Sequence, residues 1–331
     1  MPSETKQDPA TERPGIISET AALWNATPSR TALLALLLAW VALFHWLGNS
    51  TLGYVNTSSI FGWWENAMKN APDEEHAWLM PFAVVALLWS RRDEYLKLEK
   101  GAWWPAFALL LAALLVHVSG YAIQQTRLSV IAFFMGTYAI SGLMLGRRWM
   151  SLALFPFSLF LFCVPLGSNG VEIISFPLRL MATTITRVFC DSILGIKVIQ
   201  NGTQLFDAGY SYQYEVAAAC GGIRSLTAIV AFSVIYGYIT YKTMWRRLAM
   251  VAMAFPLAVL ANVFRLTLII LAAEAFGQSA GNYVHDSAIF SLAPYIPAIG
   301  GILLLGWWMR EDQKPGKPAE PLLAGGMEQK S

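Results

Sequence analysis

Charged side chains are scarce in this chain. Only 13% of its 331 residues are Asp, Glu, Lys or Arg, while 56% are hydrophobic. A soluble domain carries about 25% charge. Together with a mean hydropathy of +0.48, this excludes an ordinary soluble globular domain and points to an all-α polytopic membrane protein. The net charge of +2 is too small to imply a nucleic-acid partner. Cysteine is scarce as well. Cys163, Cys190 and Cys220 cannot make a disulfide framework. The histidines, His45, His76, His117 and His285, do not cluster. No His/Cys/carboxylate spacing suits a metal, so neither metal nor cofactor is expected. No cleavable signal peptide is visible either: the first apolar run has no small-residue cleavage site after it and reads as an uncleaved anchor. There is no internal repeat.

Apolar windows near membrane length fall at roughly 31–48, 76–90, 102–122, 128–146, 149–167, 217–240, 248–272 and 288–309. About eight transmembrane helices are therefore expected. Positive charge orients them. Arg30 precedes the first window, and Arg91, Arg92, Lys97 and Lys100 follow the second. Arg147 and Arg148 join windows four and five, Lys242, Arg246 and Arg247 join six and seven, and Arg310, Lys314 and Lys317 follow the eighth. With eight spans all these clusters lie on one side, which the positive-inside rule makes cytoplasmic. Both termini are then cytoplasmic, with 1–28 and 311–331 as disordered tails and 29–310 as the membrane domain. Residues 171–191 are apolar but carry Arg179, Arg187 and Pro177. A ninth crossing would invert the later loops, so this segment is expected as an amphipathic helix in the outer interface. In the loop that follows, Lys197 to Gln200 and Ser211 to Tyr214 flank Asn201-Gly202, and a small extracytoplasmic hairpin is expected.

Against this background one stretch stands out. Ala219-Cys220-Gly221-Gly222-Ile223-Arg224 opens the sixth window, with Arg224 one helical turn beyond the cysteine. The seventh window carries Arg265, and His285 lies just before the eighth. A charge near the bilayer centre costs on the order of 2.5–3.5 kcal/mol even on lenient scales. The span directions bring Cys220, Arg224, Arg265 and His285 to the same outer leaflet. A thiolate beside a cation and a helix N-terminus is a nucleophile. His285 can act as base and then as acid toward a leaving amine. An arginine cannot be a base, but it can hold a carbonyl or an oxyanion. Gly221 and Gly222 allow close backbone approach. Together these residues point to acyl transfer through a thioester. Each has a plainer reading. A lone membrane cysteine is usually a small hydrophobe, paired glycines are usually a packing notch, and His285 alone says little. Arg224 and Arg265 would be structural if Glu215 or Glu274 paired with them. His76 ends an acidic patch, Asp73-Glu74-Glu75, and stays open between site and surface.

These residues also resemble the motifs of the exosortase/archaeosortase family. The run Cys220-Gly221-Gly222-Ile223-Arg224-Ser225-Leu226 is similar to its cysteine signature. Pro256 with Ala261-Asn262-Val263-Phe264-Arg265 is similar to its Ala-Asn-x-x-Arg motif, and Gly281 with His285-Asp286 to its last-loop histidine. His76-Ala77-Trp78-Leu79-Met80-Pro81, and Phe155-Pro156 through Val164-Pro165-Leu166, resemble its upstream segments, so the likeness covers about 70–310. The sequence departs from a common Glu-Ala-Cys-Ser-Gly run, with Ala218 and Gly221 in place of the acid and the serine. The resemblance implies a membrane cysteine transpeptidase or protease with catalytic Cys220, Arg265 and His285. Arg224, Asn262, Gly221, Gly222 and His76 would support substrate binding. It implies, as partners, secreted proteins ending in a tripartite, PEP-CTERM-like sorting signal, the membrane lipid around them, and an acceptor nucleophile. The setting would be a bacterial inner membrane with the site facing outward. The rival expectation is a transporter or scaffold for exopolysaccharide or secretion machinery, in which Cys220 is dispensable.

Overall fold

The computed structural model describes residues 15–51, 53–70, 72–165, 167–209, 212–215, 223–287, 290, 292–293 and 295–310. Among them the chain is mostly helical. Helices α2 (Arg30–Leu47), α6 (Pro105–Ala122), α7 (Thr126–Leu145) and α11 (Met244–Phe276) are each long and apolar enough to cross a membrane. Shorter apolar helices run over His76–Ser90, Leu226–Thr240 and Tyr295–Trp308. The first of these joins a 3-10 segment (Pro72–Leu79) to α4 (Met80–Ser90), the second lies in α10 (Ile223–Thr240), and the third is in α13 (Tyr295–Trp308). The fifth expected window is α8 (Arg147–Ser158), which carries Pro156 and tightens into a 3-10 segment at Leu159–Cys163. Proline cannot donate its backbone bond, and a helix commonly loosens or ends near it. Each apolar window of the sequence thus overlaps a helix among the described residues.

In lipid, helices gain little from hiding apolar surface and associate through close packing. The face of α11 reflects this. Ala254, Ala258 and Ala261 recur at helical spacing, are all buried, and share a core with Leu226 and Ile229 of α10 and Ala298 and Ile302 of α13. A second core forms among Trp40 and Phe44 of α2, Ile60 of α3 (Ile60–Lys69), Ala113 of α6, and Val130 and Ile140 of α7. Met80, Cys163 and Ala231 link α4, the 3-10 segment after α8, and α10 between them. Helices α10 and α11 run antiparallel. Gly237 backs onto Arg247 and Met250 near one end, and Leu226 shares a buried cluster with Ala258 and Ala261 toward the other.

Three elements differ from the expectation. Within the tail expected to be disordered, residues 16–25 form α1 (Ile16–Asn25). The sequence hid this because the helix is short and half polar. It is held by Glu19, which pairs with Arg92 at 2.7 Å in α5 (Arg92–Lys97), and by Leu23 and Trp24, which close a cavity of about 390 Å³ with Trp89 and Trp149. The hairpin is found with its turn after Asn201, where Gly202 takes a φ of +60°. Its strands are β1 (Val198–Asn201) and β2 (Gln204–Asp207), and β3 (Gln213–Glu215) pairs with β2, not with β1.

The third difference concerns α9 (Gly167–Phe189). It buries Arg179, Ala182, Thr183 and Thr186 and exposes Ile173, Phe176, Leu180, Met181, Ile185 and Val188. A surface helix of a soluble protein does the reverse. It lies lengthwise on α11 in the same direction: Ala182 clusters with Val259, Val263 and Leu266, and Cys190, just beyond, with Ile269, Ile270 and Ala273.

Candidate active site

Helix α11 is the spine of the site. Its 33 residues carry Asn262 and Arg265, three positions apart and so on one face. By the register with α10, this turn comes level with the first residues of α10, the helix that begins three residues after Cys220 in the sequence. Cys220, Gly221 and Gly222 themselves, and the side chain of Arg224, lie outside the described residues.

At its far end α11 stops at Gly277, whose φ of +84° is a left-handed conformation that only glycine adopts without strain. The chain turns back into α12 (Gln278–Asp286). Gly281 is buried, and a side chain there would collide with the hydroxyl of Tyr214. That close approach lets the Tyr214 hydroxyl donate to the Gln278 carbonyl at 3.0 Å. Nearby, Tyr212 donates to Glu274 Oε2 at 3.2 Å. The three-stranded sheet thus clamps the α11–α12 corner through two tyrosines. Burial, and then the Glu274 charge and hydrogen bond, push the Tyr212 phenol well above its ordinary pKa.

The corner delivers His285 to Arg265. The guanidinium Nη2 donates to the His285 main-chain carbonyl at 3.2 Å. The His285 imidazole lies 2.7 Å from the Asp286 carboxylate through Nδ1. A carboxylate at Nδ1 favours the tautomer protonated there. From the sequence, Asp286 enters only as the neighbour of His285 in the last-loop motif, with no role of its own. Glu274, considered as a counter-ion for the arginines, is engaged by Tyr212; the Glu215 side chain lies outside the described residues.

His76 arrives from another direction. Its Nδ1 is 3.4 Å from the Thr227 hydroxyl, in the first turns of α10. Four of the residues expected in the site, Asn262, Arg265, His285 and His76, are therefore gathered around one end of the α10–α11 pair. Cys163 and Cys190 are fully buried, Cys163 against Ala77 and Ala231 and Cys190 beneath Tyr212 and Tyr214.

The sequence matches the family model described as transmembrane exosortase over residues 63–290, more than half of the chain. The chain belongs to the transmembrane exosortase family. No curated protein and no solved structure matches it. The exosortase match spans α10, α11 and α12 and so takes in the Cys220, Arg265 and His285 segments together. As a member of a transmembrane family with several apolar helices, this exosortase is an integral membrane protein.

Proposed function

We propose that this protein is a membrane-embedded cysteine transpeptidase or protease that removes C-terminal tripartite sorting signals from secreted proteins. Cys220 attacks the scissile carbonyl to form a thioester. Arg265 stabilises the oxyanion with help from Arg224, and His285, oriented by Asp286, carries the thiol proton to the leaving amine. A second nucleophile, such as an amine or a lipid- or glycan-derived group, then resolves the thioester; water would make the enzyme a protease. The observation that carries this reading is the join between Arg265 and His285, at the level where α10 begins and Cys220 precedes it, in a chain of the exosortase family.

The proposed topology has eight spans, both termini cytoplasmic, and the site at the outer face of the inner membrane. Arg246 and Arg265 are 19 positions apart on α11, about 28 Å at ~1.5 Å per residue. That is about one hydrocarbon thickness between a basic cluster on one side and the site on the other. Helix α9 sits beside α11 in the outer leaflet, its apolar face toward lipid and Arg179 inward. His76 and Asn262 complete the wall of the site.

The test is co-expression with a tagged secreted reporter that ends in a Pro-containing motif, an apolar helix and an arginine cluster. The mass of the reporter is read with wild type and with Cys220→Ser. Tail loss that depends on Cys220 supports the proposal, and the new C-terminus names the acceptor. An intact tail with well-expressed wild type and a cognate signal would turn the reading to a transporter or scaffold.

A further inference from the structure

Asn262 is 3% exposed, and among the described residues its Nδ2 has no hydrogen-bond partner. Its neighbours along α11, Ala258, Val259, Ala261, Val263 and Leu266, are all buried and apolar. A buried carboxamide normally finds an acceptor, and one left without a partner destabilises the fold. Had Asn262 served only to join helices, its Nδ2 would donate to a carbonyl of α9 or α10. One helical turn away on the same face, Arg265 Nε is also buried without a partner, although Nη2 of the same group is used on His285. Two unmatched donors thus stand side by side, level with the first turn of α10. Among the described residues neither meets an acceptor oxygen.

We infer that Asn262 is a second oxyanion donor, which with Arg265 holds the scissile carbonyl oxygen as it becomes anionic. This rests on the thioester reading above. The thiol proton passes to His285 and the Cys220 sulfur bonds to the carbonyl carbon. The π pair moves to oxygen, where Asn262 Nδ2 and Arg265 donate to it. Collapse re-forms C=O, the C–N bond breaks, and the amine leaves with the proton from His285. Asn262 is a carboxamide because the oxygen is neutral in the substrate and charged only in the intermediate. A neutral, pre-aimed donor gains most from that change and adds no second buried charge.

Two small probes separate this role from others, using the full chain in lipid nanodiscs. p-Nitrophenyl acetate acylates a thiol through a tetrahedral oxyanion and releases nitrophenolate. Iodoacetamide alkylates the same thiol with no oxyanion. In Asn262→Ala and in the isosteric Asn262→Asp, Cys220 acylation should fall by about 10²–10³-fold, while Cys220 alkylation, followed by peptide mass, stays within about twofold. Acylation within threefold of wild type would overturn the role. So would equal losses with both probes, which would place Asn262 in the fold or in thiol activation. If wild type gives no nitrophenolate that depends on Cys220, the thioester reading itself falls, a result distinct from the other two.

Discussion

Arg265 holds the main-chain carbonyl of His285 at 3.2 Å through Nη2, so the cation and the imidazole of the site are fixed to each other through backbone and not through their reactive ends. The contact uses the His285 backbone and one N–H of Arg265, so the guanidinium retains other N–H groups. Arg265→Lys keeps the charge but loses the planar fork. Tail removal from the reporter should fall by about 100-fold or more. Retention of most activity by the lysine variant would reduce Arg265 to a charged tether.

The second expectation concerns thiol reactivity. Cys163 and Cys190 are fully buried. The Cys190 thiol, in the turn beyond α9, is also pushed up to about 11 by burial, so little of it is thiolate at pH 7.5. A polar maleimide on native membranes at that pH should add one label per chain. Cys220→Ser should abolish it. Two or three labels on the wild type would contradict the burial of the other cysteines.

Asp286 orients His285, but its side chain is 76% exposed, so water competes for the bond. Asp286→Asn should therefore cost only about tenfold in turnover, against a loss of about 10²–10⁴-fold for His285→Ala. A comparison of kcat for the two variants checks the order. An Asp286→Asn loss as large as that of His285→Ala would mean that the carboxylate takes part more directly.

Gly281 leaves no room for a side chain against Tyr214 and Ala273. Gly281→Val overpacks the contact, which typically costs about 1–3 kcal/mol, and displaces α12 with His285. Both thermal stability and turnover should drop. Pairing it with Tyr214→Phe, which removes the hydroxyl, should recover part of each.

Tyr212 is expected to show in alkaline stability. Its pKa is raised by burial and by Glu274, so the folded state favours the neutral phenol. That contribution is fully present below the unfolded value of about 10 and is lost as pH rises through the folded value. The sheet should loosen from α11 in strong alkali. In Tyr212→Phe the alkaline decline in melting temperature should be shallower, with stability near neutral pH lower by about 1 kcal/mol for the lost bond to Glu274.

Much of this was readable from the chain. Helices were legible because a run such as Arg30–Leu47 has no other use for so many leucines and alanines, and Arg265 stood out because a charge in an apolar helix demands a reason, whereas His285 stood out only beside the other motif residues. The pairing of β3 with β2 was not: strands of three or four residues carry too little alternation to choose a partner, and Gln204–Asp207 has one fully buried residue, Leu205. Nor was the inward turn of Arg179, since an arginine among apolar residues reads equally as snorkelling to a surface. Helix α1 depends on Arg92, more than 60 positions away, and no local pattern reports that. For Asn262 the motif resemblance implies support of substrate binding and no more; its unmatched donor among the described residues is a property of packing. The cysteine and its two glycines lie outside the described residues, so their place rests on sequence.

The single-residue corner at Gly277 leaves Arg265 and His285 only 20 positions apart. Closing so short a stretch costs little chain entropy. On the proposed reading the anion-holding and proton-carrying groups therefore travel together in one continuous stretch, 256–287, and a chimera joined at Pro256 and Ser287 would exchange both while the recipient keeps its own thiol.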